Sequence, residues 1–398
     1  MGHMREGFLL DIDFEAHNAE VREVWEAYRK GSPIRVPVVL GLNVRYWLQD
    51  PRLNIEGVTW RDYIMNPKTM LEVQLRFQHW ARHNLVQDWE MGLPEGWSVH
   101  VDFQNFYDPA WLGAPVAFPE GEVPYAEPIL AGDRKNLLFD RGIPDPFDDT
   151  KFGGWMRRNW DYYEFFKRKV EEGLEFKGRP LKTASPCGVG IDGPFTCAYK
   201  LRGAQNLLLD MFDDPDYVHS LMDFITTALI ERIKAYRKAL GMPEEGDSWG
   251  FADDAIELLS VEQYKEFVLP YHKRLIRAFG KKGPNSIHLC GDAQRHFKVI
   301  KEELKVLSFD TGFPFDFAKA REELGPEVEI LGGVHISLLK DGTPKEIERE
   351  VVRIFNTGVL EGGRFVLREA NNLAPMTPPE NVKAMFDAAR KWGRYKWA

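Results

Sequence analysis

Cysteine is scarce: Cys187, Cys197 and Cys290 are the only three in 398 residues. An odd, small count gives no disulfide framework and fits a reducing cytoplasm. Long apolar runs are missing too; none approaches the ~20 residues of a membrane span, and no signal-peptide pattern opens the chain. A cytoplasmic protein without membrane association is therefore expected. No basic block offsets the net charge of −9, which argues against nucleic-acid binding. No GxGxxG follows the first apolar run, so the usual dinucleotide site is absent as well. Met1-Gly-His-Met4 reads as an expression-tag remnant, and His3 is set aside with it.

What is present is an ordinary globular composition, 44% hydrophobic and 28% charged, with enough length for a large core. Aromatics at 13% lean towards a pocket for a flat or apolar ligand, although a large core gives the same figure. Short β-rich runs recur at Arg35–Leu42, Trp97–Phe103, Leu181–Val189, Asp247–Ala252, Ser286–Cys290, Val306–Asp310, Val328–Gly333 and Arg364–Glu369. Strings with helical period lie between most of them, including Pro215–Leu240, Val261–Phe279, Ala293–Leu304, Pro344–Asn356 and Pro379–Trp392. The Asp213-Asp214-Pro215 and Thr343-Pro344 starts place a capping side chain before a proline in the first turn. This alternation predicts a (β/α)8 TIM barrel rather than an open doubly wound sheet. Residues 1–34 are expected to hold the tag remnant and a lead-in helix. Residues 35–398 are expected to form one barrel domain, with an insertion after the second strand over about 104–180.

In such a barrel, chemistry sits at the carboxyl ends of the strands. The polar residues there are Asp102, Asp253, Asp254, His288, Cys290, Asp310, His335, Glu369 and Asn371. His288 and Cys290 are two apart on one strand and so face the same side. Zinc takes three or four N, S or O ligands, and a catalytic site leaves one position open. Glu369 is the first choice for a third ligand, with Asp253, His335 and the weaker donor Asn371 as alternatives. Against this stand plainer readings: His288 and Cys290 as core residues, Glu369 in an ion pair with Arg368, and Asp253-Asp254 as a helix cap. Asp102, Asp253 and Asp310 are the candidate catalytic carboxylates. Tyr46, Trp47, Phe103, Phe106, Tyr107, Trp111, Trp249 and Phe251 lie near the expected mouth. Of these, Tyr46, Phe103, Tyr107, Trp249 and Phe251 are the candidate substrate contacts, weighed against burial in the core. Cys187 and Cys197 read as structural, and His79, His83, His219, His272 and His296 as surface or packing residues.

Four stretches carry a resemblance: GPFTCAYKLRGAQNLLLDMFDDPDYVHSLMDF (193–224), GFADDAIELLSVEQYKEFVLPYHKRL (250–275), SIHLCGD (286–292) and LAPMTPPENVKAMFDAAR (373–390). Through them residues 35–392 resemble the uroporphyrinogen decarboxylase superfamily, whose fold is a (β/α)8 barrel. The decarboxylases of that superfamily carry an Arg-Gln-Ala-Gly-Arg-type segment after the first strand. The chain has Leu40-Gly-Leu-Asn-Val-Arg-Tyr46, which retains Arg45 and lacks the first arginine, and Asn371 stands where their final-loop histidine would be. Asp102 is a match for their pyrrole-binding aspartate, at a different spacing to Leu112-Gly113. The cobalamin-dependent methyltransferase branch carries His-x-Cys on the fifth strand and a second cysteine in the final loop, all binding zinc. His288 and Cys290 match the first part, and Asn371 stands at the second cysteine.

The resemblance implies a zinc-dependent methyltransferase that works with cobalamin carried by a separate corrinoid protein, since no Asp-x-His-x-x-Gly cobalamin signature is present. A small methyl donor or acceptor would be the other partner, and a homodimer is left open. An oxygen ligand in place of one thiolate makes the metal harder and suits polarising an oxygen. Demethylation of a methoxylated aromatic compound is therefore the leading expectation. The alternatives are methyl transfer from the corrinoid protein to tetrahydrofolate or a thiol, a decarboxylase-like activity, and a non-catalytic barrel that binds a ligand or the corrinoid protein.

Overall fold

The computed structural model describes residues 11–395; Met1–Met4, and with them His3, lie outside the described residues. Seven ladder strands form the wall of a (β/α)8 barrel: β1 (Trp97–His100), β2 (Arg179–Ser185), β3 (Gly250–Ala252), β4 (Asn285–Leu289), β5 (Val306–Thr311), β6 (Glu329–Gly332) and β7 (Phe365–Leu367). The eighth position is the segment 36–40, joined to β7 by a parallel bridge between Val38 and Leu367. Strands β3 to β7 pair in parallel as one five-stranded sheet, and β1 pairs with β2. All eight runs expected from the sequence thus occupy wall positions.

The alternation of side chains builds the wall. In β4, Asn285, Ile287 and Leu289 are buried while Ser286 and His288 are half-buried; in β6, Ile330 and Gly332 are buried against half-buried Glu329 and Leu331. The buried set packs against the helices and the other set faces the barrel axis. The helical layer includes α1 (Phe14–Arg29), α2 (Pro67–Asn84), α3 (Trp155–Glu171), α4 (Pro194–Arg202), α5 (Pro215–Ala239), α6 (Leu269–Phe279), α7 (Pro344–Ile354) and α8 (Pro379–Trp392). Caps fix several starts: Asn66 accepts from Lys68 N and Thr69 N, Asp214 from Tyr217 N, and Thr343 with Glu346 forms a capping box. The single helix expected over Val261–Phe279 is broken at Val268 (φ −124°). Pro270 lacks the N–H that would continue the first helix, so Leu269-Pro270 opens a new one. Within 104–180 the chain forms short helices, a ribbon of Val116–Ala117 against Tyr125–Ala126, and the aromatic helix α3.

Helix α1 lies at the amino-terminal end of the barrel, where the Tyr28 hydroxyl donates to Glu329 Oε2 at 2.7 Å and Ser308 Oγ donates to Glu329 Oε1 at 2.7 Å. The first wall position is anchored by an ion pair. Arg35 Nη1 and Nη2 donate to Asp88 Oδ2 and Oδ1 at 2.7 and 2.6 Å, and Asp88 Oδ2 also accepts from Val38 N at 2.7 Å. The Arg35 side chain is 4% exposed and that of Asp88 0%. Removing one member of a buried pair strands the other charge, so Asp88→Ala is expected to cost about 3–5 kcal/mol in urea unfolding. Asp88→Asn, which keeps an acceptor for Val38, should cost less.

Candidate metal centre

The loops after β3 and β4 bring three donors together. Ligand atoms of Asp254, His288 and Cys290 all lie within 4.8 Å of one another. His288 sits in β4 beside Asp310 of β5, with which it is in register, and its Nδ1 shares a proton with Asp310 Oδ2 at 2.7 Å. That bond fixes the ring and leaves Nε2 as the nitrogen turned to the cluster, the usual arrangement behind a metal-bound histidine. Burial pulls the His288 pKa down, but the hydrogen bond and charge of Asp310 outweigh it and hold the imidazole above its ordinary value. Cys290 N donates to Asp254 Oδ1 at 2.9 Å. Burial first, and then the Asp254 carboxylate, hold the Cys290 thiol far above its usual range, with the proton shared towards Asp254. A divalent cation at that point would replace this proton and relieve the repulsion.

The donor set of one nitrogen, one sulfur and one carboxylate oxygen suits zinc. Tetrahedral bonds of about 2.0–2.3 Å put ligands roughly 3.3–3.8 Å apart, so a contraction of about 1 Å brings the three donors into range and leaves a fourth position open. Behind the cluster, Arg368 Nη1 donates to Asp310 Oδ2 at 2.5 Å, and Arg368 Nη2 to the Asn371 carbonyl at 2.5 Å. Asp310 Oδ1 is buried without a hydrogen-bond partner among the described residues.

The other expected site residues lie elsewhere. Glu369 is fully buried away from the cluster; its Oε1 accepts from Gly41 N at 2.6 Å and from Arg368 at 3.4 Å. A Cβ at position 41 would meet Arg368 Nη2 at 2.2 Å and Glu369 Oε1 at 2.5 Å, so the contact requires glycine. Asp253, also 0% exposed, is saturated by Phe195 N, Thr196 N, Thr196 Oγ1 and His272 Nε2, and it ties α4 to α6 instead of facing the mouth. The His335 ring caps its own helix by accepting from Ser337 N. Asn371 adopts φ +122° and offers its carbonyl, not its amide, to Arg368. Asp102 does face the mouth, where it accepts from the Tyr63 hydroxyl at 2.8 Å and from Gln104 Nε2. The expected substrate aromatics are mainly packing residues: Tyr46 is buried against Phe77 and Trp80, Phe103 against Phe106 and Trp155, and Trp249 stacks on buried Phe251 next to Phe279. Tyr107 is half-buried, with Arg232 over its ring.

Sequence reasoning passed over several groups at the mouth. Arg45 donates Nε to Gln104 Oε1 at 3.0 Å, and among the described residues nothing accepts from its Nη atoms. Asp192, between β2 and α4, pairs with Lys200 at 3.1 Å; burial pushes its carboxyl up to about 6 despite that cation. Arg368, read only as a partner for Glu369, is the residue that ties β7 to Asp310.

Burial away from water pushes the Glu369 carboxyl up to about 7, against an ordinary 4.5, and the Arg368 charge offsets this only in part. Between those values the folded protein keeps a proton that the unfolded chain has lost, so this group's contribution to stability falls as pH rises from 4.5 to 7. The fall is on the order of 3 kcal/mol. Urea unfolding across that window is expected to show the slope in the wild type and a flatter profile in Glu369→Gln.

Residues 163–392 match the family model for uroporphyrinogen decarboxylase (URO-D). Among curated proteins, the chain is 29% identical over 209 residues to a methylated-thiol–coenzyme M methyltransferase of Methanosarcina mazei, covering 50% of this chain and 52% of that protein. It is 27% identical over 264 residues to a uroporphyrinogen decarboxylase of Myxococcus xanthus, covering 63% and 67%. The match therefore spans about half the length of the first relative and two thirds of the second. A solved methyltransferase from Methanosarcina mazei shares the fold, with a TM-score of 0.63 at 18% identity over 93% of this chain and 98% of that one. With more than half of its 398 residues inside the family match, the chain belongs to the uroporphyrinogen decarboxylase (URO-D) family.

Proposed function

We propose that this chain is a methyltransferase that moves a methyl group between a small methylated compound and a corrinoid carried by a separate protein. The observation that carries the reading is the Asp254–His288–Cys290 cluster, with His288 held from behind by Asp310. The likeness to the methylated-thiol–coenzyme M methyltransferase supports it. Zinc held by these three residues would act as a Lewis acid on the heteroatom that carries or receives the methyl group. The chain's own part is positioning. Asp310 and Arg368 keep the His288 ring in one orientation, and the neighbouring strand ends hold the reacting groups in line for displacement. One thiolate, one imidazole and one carboxylate make a harder donor set than two thiolates and an imidazole, which favours an oxygen over a sulfur. We therefore assign a methoxylated aromatic compound as the methyl donor. Loss of its methyl group leaves a phenolate, and the proton that neutralises it must come from the mouth or from water.

Decarboxylases are also among the relatives. The cations around the mouth are largely committed to protein acceptors, Arg368 to Asp310 and Lys200 to Asp192; Arg45 spends its Nε on Gln104, and its Nη atoms have no acceptor among the described residues. A substrate with many carboxylates would need more.

Elemental analysis is expected to find about one zinc per chain, as three protein ligands with an open fourth position predict. The ion should be lost in His288→Ala, Cys290→Ala and Asp254→Ala. With a reduced corrinoid protein and a panel of methoxybenzenes, the wild type should generate methylcobalamin absorbance. Zinc-free protein that turns over methyltetrahydrofolate would replace this reading with the folate one, and carbon dioxide release from a carboxylated substrate would replace it with decarboxylation.

A further inference from the structure

Among the described residues the wall has no ladder between β2 and β3, nor between its first two positions. In a closed barrel the N–H and C=O groups of Val38 and Leu40 would pair with those of Ser98 and His100 in β1. Side chains take their places. Val38 N donates to Asp88 Oδ2 and Leu40 N to Gln87 Oε1 at 2.9 Å. On the facing edge, Gln74 brackets His100, accepting from its N at 3.0 Å and donating to its O at 2.7 Å, while Gln78 Nε2 donates to Ser98 O at 2.9 Å. Side chains thus take up most of the main-chain groups on both edges, and no ladder pair joins the two edges among the described residues.

A cavity of about 610 Å³ occupies this seam. Its lining mixes two populations that a closed wall would keep apart. Ser98, His100 and Asp102 alternate with buried Trp97, Val99 and Val101 and so belong to the axial side of β1. Phe77, Gln78 and Ala81 belong to α2, in the outer layer. The cavity therefore runs through the wall and reaches Asp102, one of the carboxylates of the mouth.

We infer that this seam is a lateral binding cleft for the small methyl donor, entered from the side while the mouth is left to the corrinoid protein. This rests on the function proposed above. The chemistry of the lining selects an uncharged, flat, largely apolar molecule with one hydrogen-bonding group. Phe77 and Ala81 supply apolar walls, and the His100 ring and Asp102 are the polar groups at the inner end. The charged liners other than Asp102 are committed elsewhere: Arg82 donates to the Gly92 carbonyl at 2.6 Å, and Glu90 pairs with Arg22 at 3.0 Å. A volume of this size is within the range of small-molecule sites. A methoxyphenol matches this lining in size and polarity, with its ring against the face of α2 that carries Phe77 and Ala81 and its hydroxyl turned to Asp102.

The test is calorimetric titration of the intact protein with 4-bromo-2-methoxyphenol, alongside crystals soaked in the same compound. Saturable binding is expected, with the bromine anomalous peak between Gln78 and His100. Ala81→Trp, which fills the cleft, should raise Kd by about tenfold or more. Ala81→Leu, a smaller plug, should give an intermediate value and covers the case in which the tryptophan is not accommodated. Zinc content should be the same in both variants. Absence of binding, a bromine outside the seam, or wild-type affinity in both variants would overturn the cleft. The two proposals fail separately. Binding in the seam by a protein without zinc or methyl transfer would remove the methyltransferase and keep the cleft; methyl transfer unaffected by the plugs would do the reverse.

Discussion

Every main-chain donor and acceptor withdrawn from water needs a partner, and in this barrel that requirement is met in two different ways. From β3 round to the segment 36–40 the partners are neighbouring strands. Between that segment and β1 they are the side chains of Gln74, Gln78, Gln87 and Asp88. Asp88 is central because one carboxylate does two things: it receives both arms of Arg35 and it caps Val38 N, beside Gln87 in the same loop. A ladder is specified by backbone geometry alone, whereas this substitute depends on particular side chains of particular length. Replacing a glutamine of the seam therefore removes a main-chain bond as well as a side chain.

The same economy appears at the Asp253-Asp254 doublet. Adjacent residues leaving a strand face opposite ways. Asp253 turns into the helical layer, where four donors satisfy it, and in doing so fixes the start of α4 against the end of β3. Gly193 is what allows that approach, since a Cβ there would lie 2.3 Å from Asp253 Cγ. Asp254, held in place by its anchored neighbour, turns to Cys290. The buried aspartate is thus structural support for the half-buried one.

Much of this was legible before any coordinates, and the errors have one cause. The eight runs, the capped helix starts and the pairing of His288 with Cys290 follow from period and capping chemistry, which are local. The sequence puts Glu369 first as a third donor, whereas the structure sets Asp254 beside His288 and Cys290, and the difference lies in the parity of residues at the strand ends. Trp249 and Phe251 form the apolar, helix-facing set of β3, so Asp253 continues that set and Asp254 the axial one; Ala252, in register with His288, marks the axial side. Likewise Phe365 and Leu367 are buried outward, which sends Glu369 outward and Arg368 inward. Counting by two from the apolar residues would have exchanged both pairs. The seam was not legible in the same sense. Glutamines in a helix carry no mark that they will end as partners for strand edges, because that depends on where the helix lies against the wall. The aromatic residues misled for a related reason: their number reflects a large core, and burial claimed Tyr46, Phe103 and Phe251.

Arg368 shows why the inward member of such a pair matters. One guanidinium reaches Asp310, the Asn371 carbonyl and Glu369, and so links the last strand, the final loop and the strand beside His288. Asp310 Oδ2 receives both Arg368 and His288, so the imidazole is oriented by a group that is itself pinned from the far side of the barrel. Glu369 is left with a distant share of that charge, one bond from Gly41 and an Oε2 with no partner among the described residues; burial then makes it hold a proton. The cluster, the glycine of the first loop and the carboxylate of the last are therefore one connected arrangement. The connection runs through one arginine, whose two Nη atoms serve all three acceptors.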